Sequence, residues 1–546
     1  MKILLVQPTS LEEGRFGLEN SLWLSEPVAL TSVAAAAAGH EVEILDMRLE
    51  EPRALVETLR RFRPDLVGTT SMTTDCYQAK AVLRTVKAID PSALTLIGGH
   101  HPTLSSEGFA EPYVDVMVRG EGELTFAELL AAYGKSKNRL DLVGIPGTVV
   151  RTEGTSFVAG PKRSQVQSLD ALPPPRRDLI KRYQGRYFYI TAQPMASIFT
   201  SRGCSFDCNF CAIWEFYERR TRFLSAEKIV EQMESLEEPF VFLLDDNFLT
   251  RTDRLVRLCE LLEAKPWKKY WMTQGRTDFI AEHPDLIKRL AGVGLSGILC
   301  GFESNADDAL AELRKKNNAD KNRRAAEILR DNGILATGIF MVRPGFDTSD
   351  FRGIRDYIAD LAIPIPLLTI LTPLPGTEMW RRLGDKLLTR DYRYFDLMHA
   401  TSETKLPREE FYRQFIWALD SAEPGVSKVL NPRRMLDKPE FWWKNLLNLP
   451  RFMYRKWRYQ RVHLDYRSFM RSELGVISPA SEPLRESAQY APKGTITLSA
   501  SASDVMVPAP RIRRAKLPAS PEPTTTPEPE ANAPALAQDH DAPEAE

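Results

Sequence analysis

The chain has 546 residues, 43% hydrophobic and 27% charged, which is ordinary for a globular protein and long enough for more than one core. A net charge of −1 excludes a protein-wide field for nucleic acid, and six cysteines in so long a chain are no disulfide framework; they suit a reducing, cytoplasmic setting. No apolar run reaches the roughly 18 residues of a membrane span. The opening MKILLVQPTS turns polar at Gln7-Pro8 and reads as a first strand, not a signal peptide.

From there short apolar runs alternate with helical patterns: KILLVQP, VALTSVAAAAAGHEVEILD, DLVGTTS, LTLIGGHHPT and VDVMVRGEGE. Strands that end in Gly, Ser, Thr or Asp, with helices between them, predict an α/β domain over residues 1–140 with a doubly wound, Rossmann-like parallel sheet. Ligands of such sheets bind at the carboxyl ends of the strands. Those ends are Thr69-Thr70-Ser71, Gly98-Gly99-His100 and Gly120-Glu121-Gly122-Glu123. The last precedes a helix whose N-terminal amides suit a polar ligand; its two carboxylates speak against phosphate and for a ribose or amide. His100 reads as a turn residue satisfying backbone groups.

Residues 141–190, with SLDALPPPRRDLIKRY, read as a linker. Over 191–400 a second series supplies the strand candidates ASIFTSRG, FVFLLDD, KYWMTQGR, SGILCGFES, LATGIFMVRPG and LLTILTP, each separated from the next by an amphipathic helix. Six β-α units predict a (β/α)6 partial TIM barrel whose working face is the carboxyl end of its strands. Residues 401–475 turn helical. Residues 476–546, rich in Pro, Ala and Glu, are expected to be disordered.

The chemistry concentrates in SRGCSFDCNFCAIWEF, just after the first barrel strand. Cys204, Cys208 and Cys211 stand at spacing C-x3-C-x2-C. Clustered thiolates select zinc or iron–sulfur. Structural zinc wants four protein ligands, and no second pair of cysteines is present. Three thiolates fit a [4Fe–4S] cluster with one iron left open, because full ligation would use four.

C-x3-C-x2-C after the first strand of a six-unit barrel resembles the radical S-adenosylmethionine enzymes, over roughly Ser197 to Glu378. The resemblance implies that S-adenosylmethionine chelates the open iron and is cleaved to a 5′-deoxyadenosyl radical. It also implies that the strand ends LLDDNF, GFES, MVRPG and TPLPGTEM line the cofactor site. Glu303 is then the candidate for gripping the methionyl amine or ribose, and Phe210 for packing on adenine. Glu303 could otherwise be a strand-end surface carboxylate, and Asp245 and Asp246 could cap the following segment. The family's Gly-Gly-Glu stretch after the second strand has no strict match.

The N-terminal domain, with AAGHEVEILD, GGHHPT and VMVRGEGELTF, resembles the cobalamin-binding domain of one large class of these enzymes. Thr70, Ser71, Gly98, Gly99 and Gly120 are the candidates for close approach to a corrin. The Asp-x-His-x-x-Gly signature that presents an axial histidine elsewhere is absent, so His100 is not assigned as a cobalt ligand. Lys386 to Phe415 resembles the end of hopanoid C-3 methylases, which act on a membrane triterpenoid.

The resemblances imply a methyltransferase acting at an unactivated carbon of a small molecule or lipid. A low-potential electron donor of flavodoxin or ferredoxin type is implied as partner. Two other readings stand beside it: a tetrapyrrole-modifying or ring-rearranging enzyme that uses cobalamin without methyl transfer, and a cofactor-binding sensor or scaffold without turnover. PEFWWKNLLNLPRFMYRKWRYQR is aromatic and basic, and suits either a membrane surface or a helix docked on the barrel.

Overall fold

The computed structural model describes residues 1–9, 22–266 and 269–422, isolated positions between 443 and 457, and the backbone of one strand at 495–498. β1 (Lys2–Gln7) pairs in parallel with β2 (Glu41–Asp46) on one side and β3 (Leu66–Thr70) on the other. β4 (Leu94–Gly98) and β5 (Val116–Val118) continue the sheet, so the order is 2-1-3-4-5. That is a doubly wound order, whose ligand crevice lies at the carboxyl ends beside the β1/β3 switch. Both faces are buried. Ile3 and Leu5 enter one core with Leu94 and Phe126, and Leu4 and Val6 enter the other with Leu59 and Val82. The two-residue period of a strand sorts consecutive apolar residues to opposite faces, which is why this strand reads as a continuous apolar run.

One expectation needs correction. Part of the expected linker is sheet: β6 (Thr148–Arg151) and β7 (Ser156–Ala159) add an antiparallel hairpin to β5. Further on, Ile180, Tyr183 and Tyr187 bury against the first sheet. The proline-rich stretch masked this short apolar content.

The second sheet holds β8 (Met195–Ile198), β9 (Phe240–Leu243), β10 (Tyr270–Gly275), β11 (Leu295–Glu303), β12 (Leu335–Val342) and β13 (Ile365–Ile370). Each pairs in parallel with the next, giving the open (β/α)6 arrangement. Val241 and Leu243 point into the core shared with the surrounding helices. Phe240 and Phe242 turn the other way and meet Tyr189, Ile190, Met195 and Met272, an apolar plug. Tyr189 Oη donates to Thr337 Oγ1 at 2.8 Å, so the residues before the barrel are tied to it.

After the barrel, Arg408–Ala422 is helical, and Phe411, Tyr412 and Phe415 bury in the barrel core. Within the tail expected to be disordered, β14 (Thr495–Leu498) pairs in parallel with β7. Its alternation of threonine with Ile and Leu is strand-like whatever its setting. The rest of residues 476–546 lies outside the described residues.

Candidate active site

The cysteine loop leaves β8 through a two-residue ladder, Ser201–Arg202 against Arg222–Phe223. Asp245, at the end of β9, is fully buried and accepts four hydrogen bonds. They come from the backbone N of Thr200 (2.6 Å) and Ser201 (2.9 Å) and from their hydroxyls (2.5 and 2.7 Å). The loop is thus pinned to the neighbouring strand before the first cysteine. Asp246 accepts from Gly203 N at 3.2 Å, and burial raises its pKa to about 7. Gly203 has φ +90°, and a Cβ there would lie 2.1 Å from Arg220 O, so only glycine fits.

Cys208 is buried, and Cys204 and Cys211 are half-buried. Burial raises all three thiols, Cys211 to about 12. Each of Cys204 and Cys211 also feels Cys208 as a like charge, while Arg276 opposes the rise at Cys204 and Cys208, and Lys315 opposes it at Cys208. A set of thiols that resists ionisation together needs a bound cation to become thiolates. Among the described residues no three His, Cys, Asp or Glu side chains converge on a single ion.

The far side of the loop is held by the barrel's carboxyl end. Asn209 Nδ2 donates to Glu312 O at 2.8 Å, and Met379 N donates to Asn209 O at 3.1 Å. Phe210 packs on Leu313, Met341 and Met379, so its ring joins an apolar shelf at the ends of β12 and β13.

Glu303 closes β11 at a bulge, with φ +62° in the left-handed region that non-glycine residues avoid. It is a buried side chain and not a surface carboxylate. Its Oε1 accepts from Lys315 Nζ at 2.7 Å, while Oε2 is buried without a partner. A Cβ at Gly301 would sit 2.0 Å from Glu303 Oε1 and 2.6 Å from Lys315 Nζ, so glycine there makes room for the pair. An unpaired carboxylate oxygen in a buried setting is costly unless a ligand supplies the donor. Arg276 stacks its guanidinium 3.5 Å from the Phe206 ring centre and donates to the backbone O of Lys315. The sequence reading missed Arg276 and Lys315. Lys315 sits in RKKNN, which looks like a solvated turn, and nothing local announces its burial.

In the first domain, Thr70, Ser71, Gly98, Gly99 and Gly120 share one hydrogen-bonded rim. Ser71 N donates to Gly98 O at 2.9 Å, and Gly120 N to Thr103 Oγ1 at 2.9 Å. Gly99 has φ +105°, and a Cβ there would meet Thr70 Oγ1 at 2.6 Å and Ser71 O at 2.8 Å. The Glu121 and Glu123 carboxylates, expected to be free for a ribose or amide, are taken by Arg202 and Arg222 of the cysteine loop. His100 is also not the expected backbone-satisfying turn residue. Its Nε2 is buried without a partner, and its ring lies 4.3 Å from that of Phe216, just past Cys211. Burial lowers its pKa to about 4.

Comparison with known proteins agrees with this geometry. A model described as "B12 binding domain" matches residues 21–130, and one described as "Radical SAM superfamily" matches residues 198–358. The hopanoid C-3 methylase of Methylococcus capsulatus is 30% identical over 422 residues, covering 76% of this chain and 79% of that protein. The chain belongs to the cobalamin-dependent radical S-adenosylmethionine methyltransferase family. The family is not confined to methyl transfer: the anaerobic magnesium-protoporphyrin IX monomethyl ester cyclase of Rubrivivax gelatinosus is 27% identical over 365 residues, 65% of this chain and 64% of that one. Among solved structures, the radical S-adenosylmethionine methyltransferase TsrM from Kitasatospora setae, with cobalamin and a [4Fe–4S] cluster bound, shares the fold. Its TM-score is 0.56 at 20% identity, over 69% of this chain and 76% of that one. Membership in a family of enzymes leaves no support for the sensor or scaffold reading.

Proposed function

We propose that this enzyme methylates an unactivated carbon of a small-molecule or lipid substrate, with a polycyclic isoprenoid of the hopanoid kind as the favoured class. The observation that carries the reading is the joining of two sites: the loop that carries Cys204, Cys208 and Cys211 lies against the strand-end rim of the B12-binding domain, through His100 on Phe216 and Glu121 on Arg202. Cys204, Cys208 and Cys211 would hold a [4Fe–4S] cluster. Glu303, through its unpartnered Oε2, would hold the amine or ribose of S-adenosylmethionine, and Phe210 would offer its face to adenine. Thr70, Ser71, Gly98, Gly99 and Gly120 would let a corrin approach the backbone closely. Bound together, these groups supply hydrogen abstraction from carbon and a methyl group to take the hydrogen's place.

The residues of the chain position and shield. Lys315 occupies one oxygen of Glu303 and leaves the other for a ligand donor. Arg276 and Lys315 put positive charge beside Cys204 and Cys208, which favours thiolates. Asp245 keeps the loop in place by four hydrogen bonds.

A flavodoxin or ferredoxin would deliver the electron, and the setting would be cytoplasmic. Contact with a membrane surface is supported by one further observation. Trp443, Leu447, Met453, Tyr454 and Trp457 are 42–79% exposed, on a segment whose sequence from 441 to 461 carries Lys and Arg but no Asp or Glu. Among the described residues no helix is long and apolar enough to cross a membrane.

The test is anaerobic reconstitution with iron, sulfide and hydroxocobalamin, beside a Cys204→Ala, Cys208→Ala, Cys211→Ala variant. Iron lost only in the variant, with corrin bound in both, supports the reading; an unmodified chain that binds no cluster sinks it. Turnover with S-adenosylmethionine, dithionite and a hopanoid-rich lipid extract then separates the two chemistries. S-adenosylhomocysteine formed together with 5′-deoxyadenosine marks methyl transfer. 5′-Deoxyadenosine alone marks the ring-modifying chemistry that the cyclase relative favours.

A further inference from the structure

Arg202 and Arg222 lie directly opposite each other in the ladder that closes the neck of the cysteine loop. Two like charges at that separation repel. They are brought together by carboxylates from the first domain. Glu121 Oε1 accepts from Arg202 Nη1 and from Arg222 Nη2, both at 2.9 Å, and its Oε2 accepts from Arg222 Nη1 at 2.8 Å. Glu123 Oε1 accepts from Arg202 Nη2 at 2.5 Å. Val166 closes the ring, its N donating to Glu121 Oε2 at 3.0 Å and its O accepting from Arg222 Nη1 at 2.7 Å. The four charges sum to zero, and the side chains are 13%, 10%, 7% and 8% exposed for Arg202, Arg222, Glu121 and Glu123.

Such a network is poorly explained by stability. A buried ion pair roughly balances its own desolvation, and apolar residues of like volume often serve as well. What it does supply is direction. An Arg–carboxylate fork permits few relative orientations, and here one carboxylate engages two forks. Glu121 and Glu123 follow the rim glycine Gly120, while Arg202 and Arg222 bracket the cysteines. A second contact runs parallel: His100, beside Gly98 and Gly99, packs its ring against Phe216 at 4.3 Å and a tilt of 32°, and Tyr217 lies under Arg222.

The geometry points to Glu121, Glu123 and Arg222 as positioning residues that set the register of the cysteine loop on the first domain. Given the cofactor reading above, on which this part rests, they set the spacing between cluster and corrin. A methyl group must be delivered to the carbon from which hydrogen was taken, so a fixed spacing between the two sites is what the chemistry requires.

The test reads spacing without either cofactor. Nitroxides on unnatural amino acids at the exposed Glu57 and Glu260 report the distance between the two domains in the full chain by pulsed dipolar EPR. Failure of corrin binding is therefore a separate result. In the Glu121→Gln variant the distance distribution shifts and broadens. Because that change leaves Arg222 with less counter-charge and can impair folding, the decisive variant is Glu121→Met with Arg222→Met. It removes the pair as a whole and leaves Arg202 with Glu123. It keeps a thermal midpoint near that of the unmodified chain, yet shows the broadened distribution. Arg222→Lys, with the charge but without the fork, recovers only part of the narrow distribution. A narrow, unshifted distribution in the folded double variant overturns the proposal, and so does a broad one in the unmodified chain.

Discussion

Glu303→Gln isolates one oxygen atom. In the unmodified chain Oε1 is engaged by Lys315 at 2.7 Å and Oε2 has no partner. An alanine would strip Lys315 of its buried counter-ion, at about 3–5 kcal/mol, and would confuse binding with folding. Glutamine also removes the counter-charge, but it keeps the side-chain volume and an acceptor for Lys315 and places an amide donor where Oε2 stood. A ligand amine or ribose hydroxyl then meets a donor instead of a carboxylate. A hydrogen bond to a charged group contributes about 1.5–3 kcal/mol, so S-adenosylmethionine binds about 10–150-fold more weakly at about 1.4 kcal/mol per decade. The assay is anaerobic equilibrium dialysis of labelled S-adenosylmethionine at matched iron content, with thermal unfolding as the check on the fold. Affinity indistinguishable from the unmodified protein, in a variant that is folded and iron-loaded, would refute the assignment of Oε2 to the ligand.

Gly203→Ala drives a Cβ to 2.1 Å from Arg220 O at a residue with φ +90°; the chain folds around the first sheet, but iron content after reconstitution drops sharply. His100 gives a pH dependence. Burial holds its folded pKa at about 4, below the ordinary 6.5 of histidine, so the unfolded chain takes up the proton first. Stability from this group is whole above the unfolded pKa and is lost as pH falls towards 4, by about 1.4 kcal/mol per pH unit. His100→Phe keeps the ring against Phe216 and removes this share, so urea midpoints between pH 6.5 and 4 fall less steeply than in the unmodified chain; equal slopes count against it. The proposed membrane contact predicts that Trp443→Ala with Trp457→Ala lowers co-sedimentation with vesicles containing phosphatidylglycerol and that added salt lowers it further; no co-sedimentation of the unmodified chain counts against that contact.

Much of the candidate site was legible because its residues are local in sequence. Cys204, Cys208 and Cys211 fall within eight residues of one another, and the missing fourth thiol could be counted. Thr70, Gly98 and Gly120 could be placed by topology, since every parallel strand delivers its carboxyl end to one edge. Glu303 was legible as the end of a strand, but its burial and its divided oxygens were not. Arg276 and Lys315 went unseen because a charged residue in a charged turn looks the same whether it is solvated or buried. The hairpin at 148–159 was hidden by the prolines that follow it, and β14 by the composition around it.

The sequence by itself determined the two α/β series, the edge at which the carboxyl ends of their strands gather, and a thiol set suited to a cluster. Those conclusions rest on periodicity and short spacing, which a chain carries whatever it later touches. Only the tertiary structure decided that Glu121 and Glu123 answer to Arg202 and Arg222, that His100 meets Phe216, and that Lys315 reaches Glu303. The reason is physical. A charge has no period, and its partner is chosen by which surfaces the packing of apolar strands and helices brings together and closes off from water.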